Sequence, residues 1–187
     1  MKYLIAGLGN IGDEYANTRH NIGFIVLDAL AGVLNATFSS GRYASVANAK
    51  FKGRTLVLIK PSTYMNLSGK AIRYWLETEK IPVENMLVVS DDLDLDSGVL
   101  RMKPAGSGGS HNGLNHIIEI LGTTNFPRLR FGIGNDFAKG YQVDYVLGRW
   151  TRAEEELLKP KVLMAADMVK SFATIGIDRT MSLYNNK

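Results

Sequence analysis

Apolar runs and helically spaced apolar positions alternate along most of this chain. Residues 3–8 form a largely apolar run typical of a buried strand, and residues 21–34 place apolar side chains at helical spacing. The same reasoning predicts further strands at 86–89, 99–103 and 129–133, and further helices at 68–79 and 114–121. A closing helix is predicted to begin near Thr151, because Thr151 and Glu154 have the spacing of a capping box, and Pro160 is expected to bend or delay it.

One predicted hairpin interrupts this alternation. Residues 43–50 and 55–59 are both strand-like, and only a turn at residues 52–54 separates them. The pattern therefore predicts an α/β fold with a mixed, mostly parallel twisted sheet flanked by helices. Since no linker or repeat is found, we expect a single domain over residues 1–187. Active sites in such sheets form at the carboxyl ends of strands, where Asn10, Asp91 and the glycine-rich loop at 104–110 are expected.

The composition limits the kinds of ligand site that this chain can form. The chain has no cysteine, so it contains neither disulfides nor thiolate ligands, and its three histidines form no H-E-x-x-H motif. We therefore expect no catalytic zinc, and any metal site would have to use histidine and carboxylate ligands. No stretch has the length of a signal-peptide core or a membrane span, so we expect a cytoplasmic protein with no membrane partner.

The positive charge is concentrated in one segment. The net charge is +4, and residues 101–152 carry seven basic against three acidic side chains while the remainder balances. A polyanion would therefore meet this segment rather than the rest of the surface. A scatter of solvated side chains is the alternative interpretation.

A glycine motif near the start of the chain suggests a different function. Residues 7–12 read G-L-G-N-I-G and follow a predicted strand, as a dinucleotide-binding loop requires. The predicted helix, however, begins near residue 20 and not at the glycines, where a pyrophosphate would need its N-terminus. A nucleotide-dependent oxidoreductase is kept as a rival hypothesis.

Several polar blocks together resemble the bacterial peptidyl-tRNA hydrolases. The blocks are GLGN at 7–10, EYANTRHNIG at 14–23, YMNLSG at 64–69, DDLDL at 91–95 and HNGL at 111–114, in the family's order across nearly the whole chain. The segment 126–134 matches a further block. Two positions depart from the family pattern, Ile11 in place of proline and Asn115 in place of a basic residue.

The resemblance implies hydrolysis of the ester between a nascent peptide and the terminal ribose of tRNA, in translation and ribosome rescue, with no metal and no organic cofactor. It implies His20 as general base on water and Asp91 as its hydrogen-bonded partner. Substrate-binding roles carry over to Asn10, Tyr15, Met65, Asn66 and Asn112. Packing remains an equal alternative for Met65. His111 is left open, either orienting Asn112 or facing solvent, and His116 is expected to be structural.

The resemblance also implies that Lys103 and Arg130 bind a tRNA phosphate, and both lie in the positive segment. The expected partner is peptidyl-tRNA, bound by a monomer. A non-catalytic RNA-binding protein on the same fold is the alternative, since a fold does not fix a function.

Overall fold

A seven-stranded sheet forms the centre of the computed structural model, which describes residues 1–187. The strands are β1 Lys2–Gly7, β2 Ser39–Gly41, β3 Ala44–Phe51, β4 Arg54–Pro61, β5 Met86–Asp92, β6 Leu100–Lys103 and β7 Arg128–Gly132. The helices are α1 Ile22–Val33, α2 Ser68–Glu79, α3 Asn112–Leu121, α4 Gln142–Val146, α5 Arg152–Ile175 and α6 Ile177–Tyr184.

The strand order is β2-β3-β4-β1-β5-β7-β6. β1 lies between β4 and β5 and is parallel to both, and β5 is also parallel to β7. β3 and β4 form the predicted antiparallel hairpin, and β2 extends it. The prediction of a mixed α/β sheet flanked by helices is therefore confirmed.

The sheet corrects two predictions about the site. β5 continues three residues beyond Val89, because Ser90, Asp91 and Asp92 pair with β7, so Asp91 lies within the strand and not after it. β6 is antiparallel to β7, and its last residue, Lys103, pairs with the first residue of β7. The glycine-rich loop thus leaves β6 at the opposite edge of the sheet and crosses back to reach α3.

Each face of the sheet buries its own apolar layer. One layer contains buried side chains of α1 and α5, and the other contains side chains of α2 and α3. Because both faces are covered, the central strands β1 and β5 are apolar on both sides, as their continuous apolar runs predict. Helix α5 has the predicted capping box and continues through Pro160 to Ile175 without a break in its residue range.

Packing explains the glycine motif at the end of β1. A Cβ atom at Gly7 would clash with the Gly23 carbonyl oxygen in α1, and one at Gly23 would clash with the backbone of Leu8. The glycines therefore allow strand and helix backbones to touch. Since α1 begins at Ile22, no helix N-terminus lies at residues 7–12 to hold a pyrophosphate.

Candidate active site

His20 and Asp91 form a hydrogen-bonded pair at the carboxyl end of the central strands. A short 3-10 turn, Arg19–Asn21, presents His20 just before α1, while Asp91 projects from β5. The two atoms His20 Nδ1 and Asp91 Oδ2 are 2.8 Å apart. The side chains are only 13% and 3% exposed, so water does not compete strongly for this bond.

His111 binds the second oxygen of the same carboxylate. Its Nε2 lies 2.8 Å from Asp91 Oδ1, and its Nδ1 accepts the backbone N–H of Leu114 at 3.2 Å as the N-cap of α3. Because Nδ1 accepts, the ring proton is on Nε2 and is donated to Asp91. Neither role suggested for His111 from the sequence included this contact with Asp91.

The surroundings of Asp91 keep it ionised. Burial favours the neutral acid, but the two histidines that hydrogen-bond to the carboxylate, His111 and His20, outweigh burial and hold the pKa of Asp91 well below its ordinary range. An ionised carboxylate accepts from both rings, so His20 carries its proton on Nδ1. The Nε2 atom of His20 is then the ring nitrogen with a free lone pair, as a base requires.

A second set of bonds fixes the loop around Asn10. The buried Asn21 side chain accepts from the Asn10 backbone N–H and donates to the Asn10 carbonyl, both at 2.8 Å. The Asn10 side-chain oxygen accepts the Met65 backbone N–H at 2.7 Å. Asn10 therefore joins the ends of β1 and β4, and only its carboxamide nitrogen is left for a substrate. Asn21 is a supporting residue that the sequence placed beside His20 without a role.

The other residues that the resemblance assigns to substrate binding differ in how exposed they are. Met65 is buried, and a Cβ at Gly113 would lie 2.6 Å from its sulfur, so Met65 packs against the start of α3. Asn66 and Asn112 are both exposed, on the turn before α2 and at the first residue of α3. Tyr15 is half-buried in a separate 3-10 turn.

A cleft of about 210 Å³ contains the His20–Asp91 pair together with residues of the basic segment. It is lined by His20, Asp91, Asn112, Lys103 and Arg130, among others, whereas Asn10, Tyr15, Met65 and Asn66 do not line it. Arg130 donates to Asp92 at 3.2 Å, and Lys103 is exposed. Lys103 and Arg130, the two cations predicted to bind phosphate, therefore line the same cleft as His20 and Asp91.

Two residues that the sequence did not assign hold the glycine-rich wall of this cleft. The buried Arg128 donates to the carbonyls of Ser107 and Thr124, at 3.3 and 2.8 Å, and its guanidinium packs on the Phe126 ring. Burial and the charge of Arg130 lower the pKa of Arg128 to about 10, so it remains a cation at neutral pH. Asn115 donates to the Gly109 carbonyl at 3.0 Å, which gives this departure from the family pattern a structural role.

The same three side chains offer a set of atoms that a metal ion could use. One ligand atom each from His20, Asp91 and His111 lies within 4.8 Å of the others. The hydrogen bonds argue against a metal site, because the His111 nitrogen that faces Asp91 carries a proton and cannot coordinate a metal in that state.

Comparison with known proteins identifies the family. The family model described as peptidyl-tRNA hydrolase matches residues 4–187. The chain belongs to the peptidyl-tRNA hydrolase family. It is 58% identical over 187 residues to the peptidyl-tRNA hydrolase of Phocaeicola vulgatus, with all of both chains covered. It is also 58% identical to that of Cytophaga hutchinsonii over 188 residues, again with both chains covered completely.

Solved structures agree with this assignment. The crystal structure of the peptidyl-tRNA hydrolase from Acinetobacter baumannii superposes with a TM-score of 0.92 at 34% identity, covering 98% of this chain and 94% of that one. Membership in the peptidyl-tRNA hydrolase family makes the protein an ester hydrolase that functions in translation. No helix combines the length and apolar character needed to cross a bilayer.

Proposed function

We propose that the protein cleaves the ester between peptide and tRNA by attack of water, with His20 as the general base and Asp91 as its partner. The observation that carries this proposal is the 2.8 Å bond between His20 Nδ1 and Asp91 Oδ2. It assigns the ring proton to Nδ1 and leaves Nε2 to accept a proton from water. As the imidazolium forms, the ionised Asp91 stabilises it.

The tetrahedral intermediate requires donors for its oxyanion. Asn10 retains its carboxamide nitrogen, and the exposed residues Asn66 and Asn112 are the sequence neighbours of Met65 and Gly113, which lie close together. Neutral amides can hold a peptide backbone and an oxyanion without adding charge to the site. We assign Asn66 and Asn112 to the peptide side of the ester and Asn10 to the water or the ribose. We assign Tyr15 to substrate binding as well, whereas Met65 is buried and supports the site through packing.

The tRNA is assigned to the β7–β6 side of the site. Lys103 and Arg130 line the cleft that contains His20 and Asp91, which supports a role in binding the phosphate nearest the ester. Contacts to phosphate provide affinity without reading sequence, as an enzyme that accepts many tRNAs requires. Arg130 is held by Asp92, so the cation is positioned before the substrate arrives.

The proposed chemistry uses side chains of a single chain and no cofactor. We also propose that the protein acts as a monomer. Peptidyl-tRNA arises during translation, so we propose that the protein works in the cytoplasm.

The direct test is release of tRNA from a defined peptidyl-tRNA by the wild type and by His20→Ala. The expected loss for the variant is on the order of 100-fold to 10,000-fold in kcat, because it lacks the base. His116→Asn provides a histidine control. Its Nδ1 accepts the Gly69 backbone N–H at 2.9 Å and joins α2 to α3, so this variant should lose stability but not kcat. Full activity of His20→Ala would rule out the proposed mechanism.

A further inference from the structure

A second group of cations and aromatic rings lies near the β2–β3 end of the strand order, opposite the β6 strand that carries Lys103. Gly41 pairs with Ala44, so Arg42 and Tyr43 form a two-residue turn between β2 and β3. The Arg42 guanidinium lies 5.0 Å from the centre of the Tyr43 ring and 5.5 Å from that of Tyr74 on α2. The Lys70 amine lies 4.9 Å from the Tyr43 ring. We call Arg42, Tyr43, Lys70 and Tyr74 the turn patch.

The backbone of the turn patch is held in an unfavourable conformation. Tyr43 has a φ of 64°, in the left-handed region that costs free energy for a residue with a side chain. Two bonds of 2.8 Å maintain it, from Trp75 Nε1 to the Arg42 carbonyl and from the Ser62 N–H to the Tyr43 carbonyl. Strain that is fixed from two sides is common where a protein presents side chains to a ligand.

The sheet order locates the turn patch relative to the catalytic pair. Tyr43 immediately precedes Ala44, which pairs with Pro61 at the carboxyl end of β4. The turn therefore lies at the same edge of the sheet as Asp91. The β1 and β4 strands separate β3 from β5, while β7 and β6, which carry Arg130 and Lys103, lie on the other side of β5. The catalytic pair thus lies between the turn patch and the proposed phosphate site.

The geometry points to the turn patch as a distal subsite for the nascent peptide, with a preference for an acidic residue. This inference rests on the proposed function, in which the tRNA occupies the β7–β6 side and the peptide continues towards β4. Three strand spacings separate β5 from β3, which is roughly 14 Å. An extended peptide covers that distance in about four residues, so the acidic residue would be the fourth or fifth from the ester.

Charge and ring geometry favour a carboxylate over a nucleic acid base. Arg42 and Lys70 are exposed, and neither is paired with a carboxylate of the protein. The Tyr43 ring already meets Tyr74 edge-on, at 5.6 Å and 88°, and both cations lie near its centre. Bases stack on open ring faces, which this arrangement does not offer.

The experiment compares peptidyl-tRNAs that differ only in the peptide. One carries two residues, and two others carry five residues with either glutamate or glutamine farthest from the ester. We expect the wild type to cleave the glutamate substrate with a kcat/KM about threefold to fivefold above that of the glutamine substrate, the range of an exposed ion pair. Arg42→Ala/Lys70→Ala should abolish this preference and leave the two-residue substrate unaffected. The control with equal charge change is Lys159→Ala/Arg179→Ala, which should keep the preference.

A charge-reversal variant distinguishes loss of the subsite from loss of folding, because a misfolded protein could not gain the opposite preference. The variant Arg42→Glu/Lys70→Glu should prefer a five-residue peptide with lysine farthest from the ester over one with glutamate at that position. Equal cleavage of the glutamate and glutamine substrates by the wild type would overturn the inference. So would weaker binding of deacylated tRNA by the alanine variant, since the patch would then be an RNA surface. Failure of the wild type to cleave even the two-residue substrate would instead contradict the proposed function.

Discussion

His111 donates from Nε2 to Asp91 Oδ1 at 2.8 Å while its Nδ1 caps helix α3. This one ring thus joins the Asp91 carboxylate to the first turn of helix α3. Because the cap requires an unprotonated Nδ1, the ring is neutral while this arrangement persists. The negative charge of Asp91 is then available to stabilise His20, which is the ring that becomes positive during the proposed reaction.

Substitution of His111 separates its two roles. His111→Asn can still cap α3 through its side-chain oxygen, but it is too short to retain the bond to Asp91. We expect a fall in kcat of about tenfold with little change in Tm, because Asp91 would then be less firmly oriented. His111→Ala should show the same fall in kcat and, in addition, lose about 1 kcal/mol of stability. Equal kcat in the wild type and His111→Asn would show that the contact with Asp91 does not position it for catalysis.

Asp91→Asn should remove both the charge and the tautomer control of His20. The expected fall in kcat is on the order of 1,000-fold, since an amide can donate to His20 and place the proton on the wrong nitrogen. Single-turnover rates at saturating substrate would measure this effect separately from binding. A fall in kcat/KM that came entirely from KM would contradict the assigned role.

Asp91 should also make stability depend on pH. Its folded pKa lies below the ordinary 3.8, so its contribution is fully present above that value and is lost as pH falls through the lowered folded pKa. The free energy of unfolding of the wild type should therefore decrease below about pH 4 relative to that of Asp91→Asn. Urea unfolding of both proteins between neutral and acidic pH would measure the difference. A difference that is constant over this range would argue against a lowered pKa.

The salt dependence of KM tests the phosphate site. Lys103→Ala and Arg130→Ala should each raise KM and lower the slope of log KM against log salt concentration by about 1, because each cation neutralises one phosphate. Lys159→Ala removes an exposed cation on α5 and should leave the slope unchanged. Asp92→Asn should raise KM, since it removes the carboxylate that positions Arg130 from 3.2 Å away. An unchanged slope in both cleft variants would place the tRNA elsewhere.

Treatment with a chelator distinguishes the general-base mechanism from catalysis by a bound metal ion. Dialysis against EDTA should leave kcat unchanged, because we propose that His20 and His111 use their ring nitrogens in hydrogen bonds to Asp91. Addition of zinc should inhibit, since a metal bound to these atoms would occupy the base. Activity that EDTA abolishes and zinc restores would replace the general-base mechanism with metal catalysis.

The sequence predicted the local elements well where a periodic apolar face was long. The bounds predicted for α2 agree with those observed, and the capping box of α5 is present, because both depend on side chains a few residues apart. It missed α4, α6 and β2. The α4 and β2 elements are short and have no buried residue, so no apolar periodicity indicated them.

For the site too, the sequence determined some features, whereas others depended on the tertiary structure. The residue types, their order and the resemblance they carry determined the family, the candidate base and the candidate aspartate. The sharing of Asp91 by two histidines depended on tertiary structure, since the sequence does not show that β5 extends beyond Val89 or where α3 begins relative to it. The bracing of the glycine-rich loop by Arg128 and Asn115 likewise depends on β6 being antiparallel, because strand direction is set by packing across the whole sheet and not by local pattern.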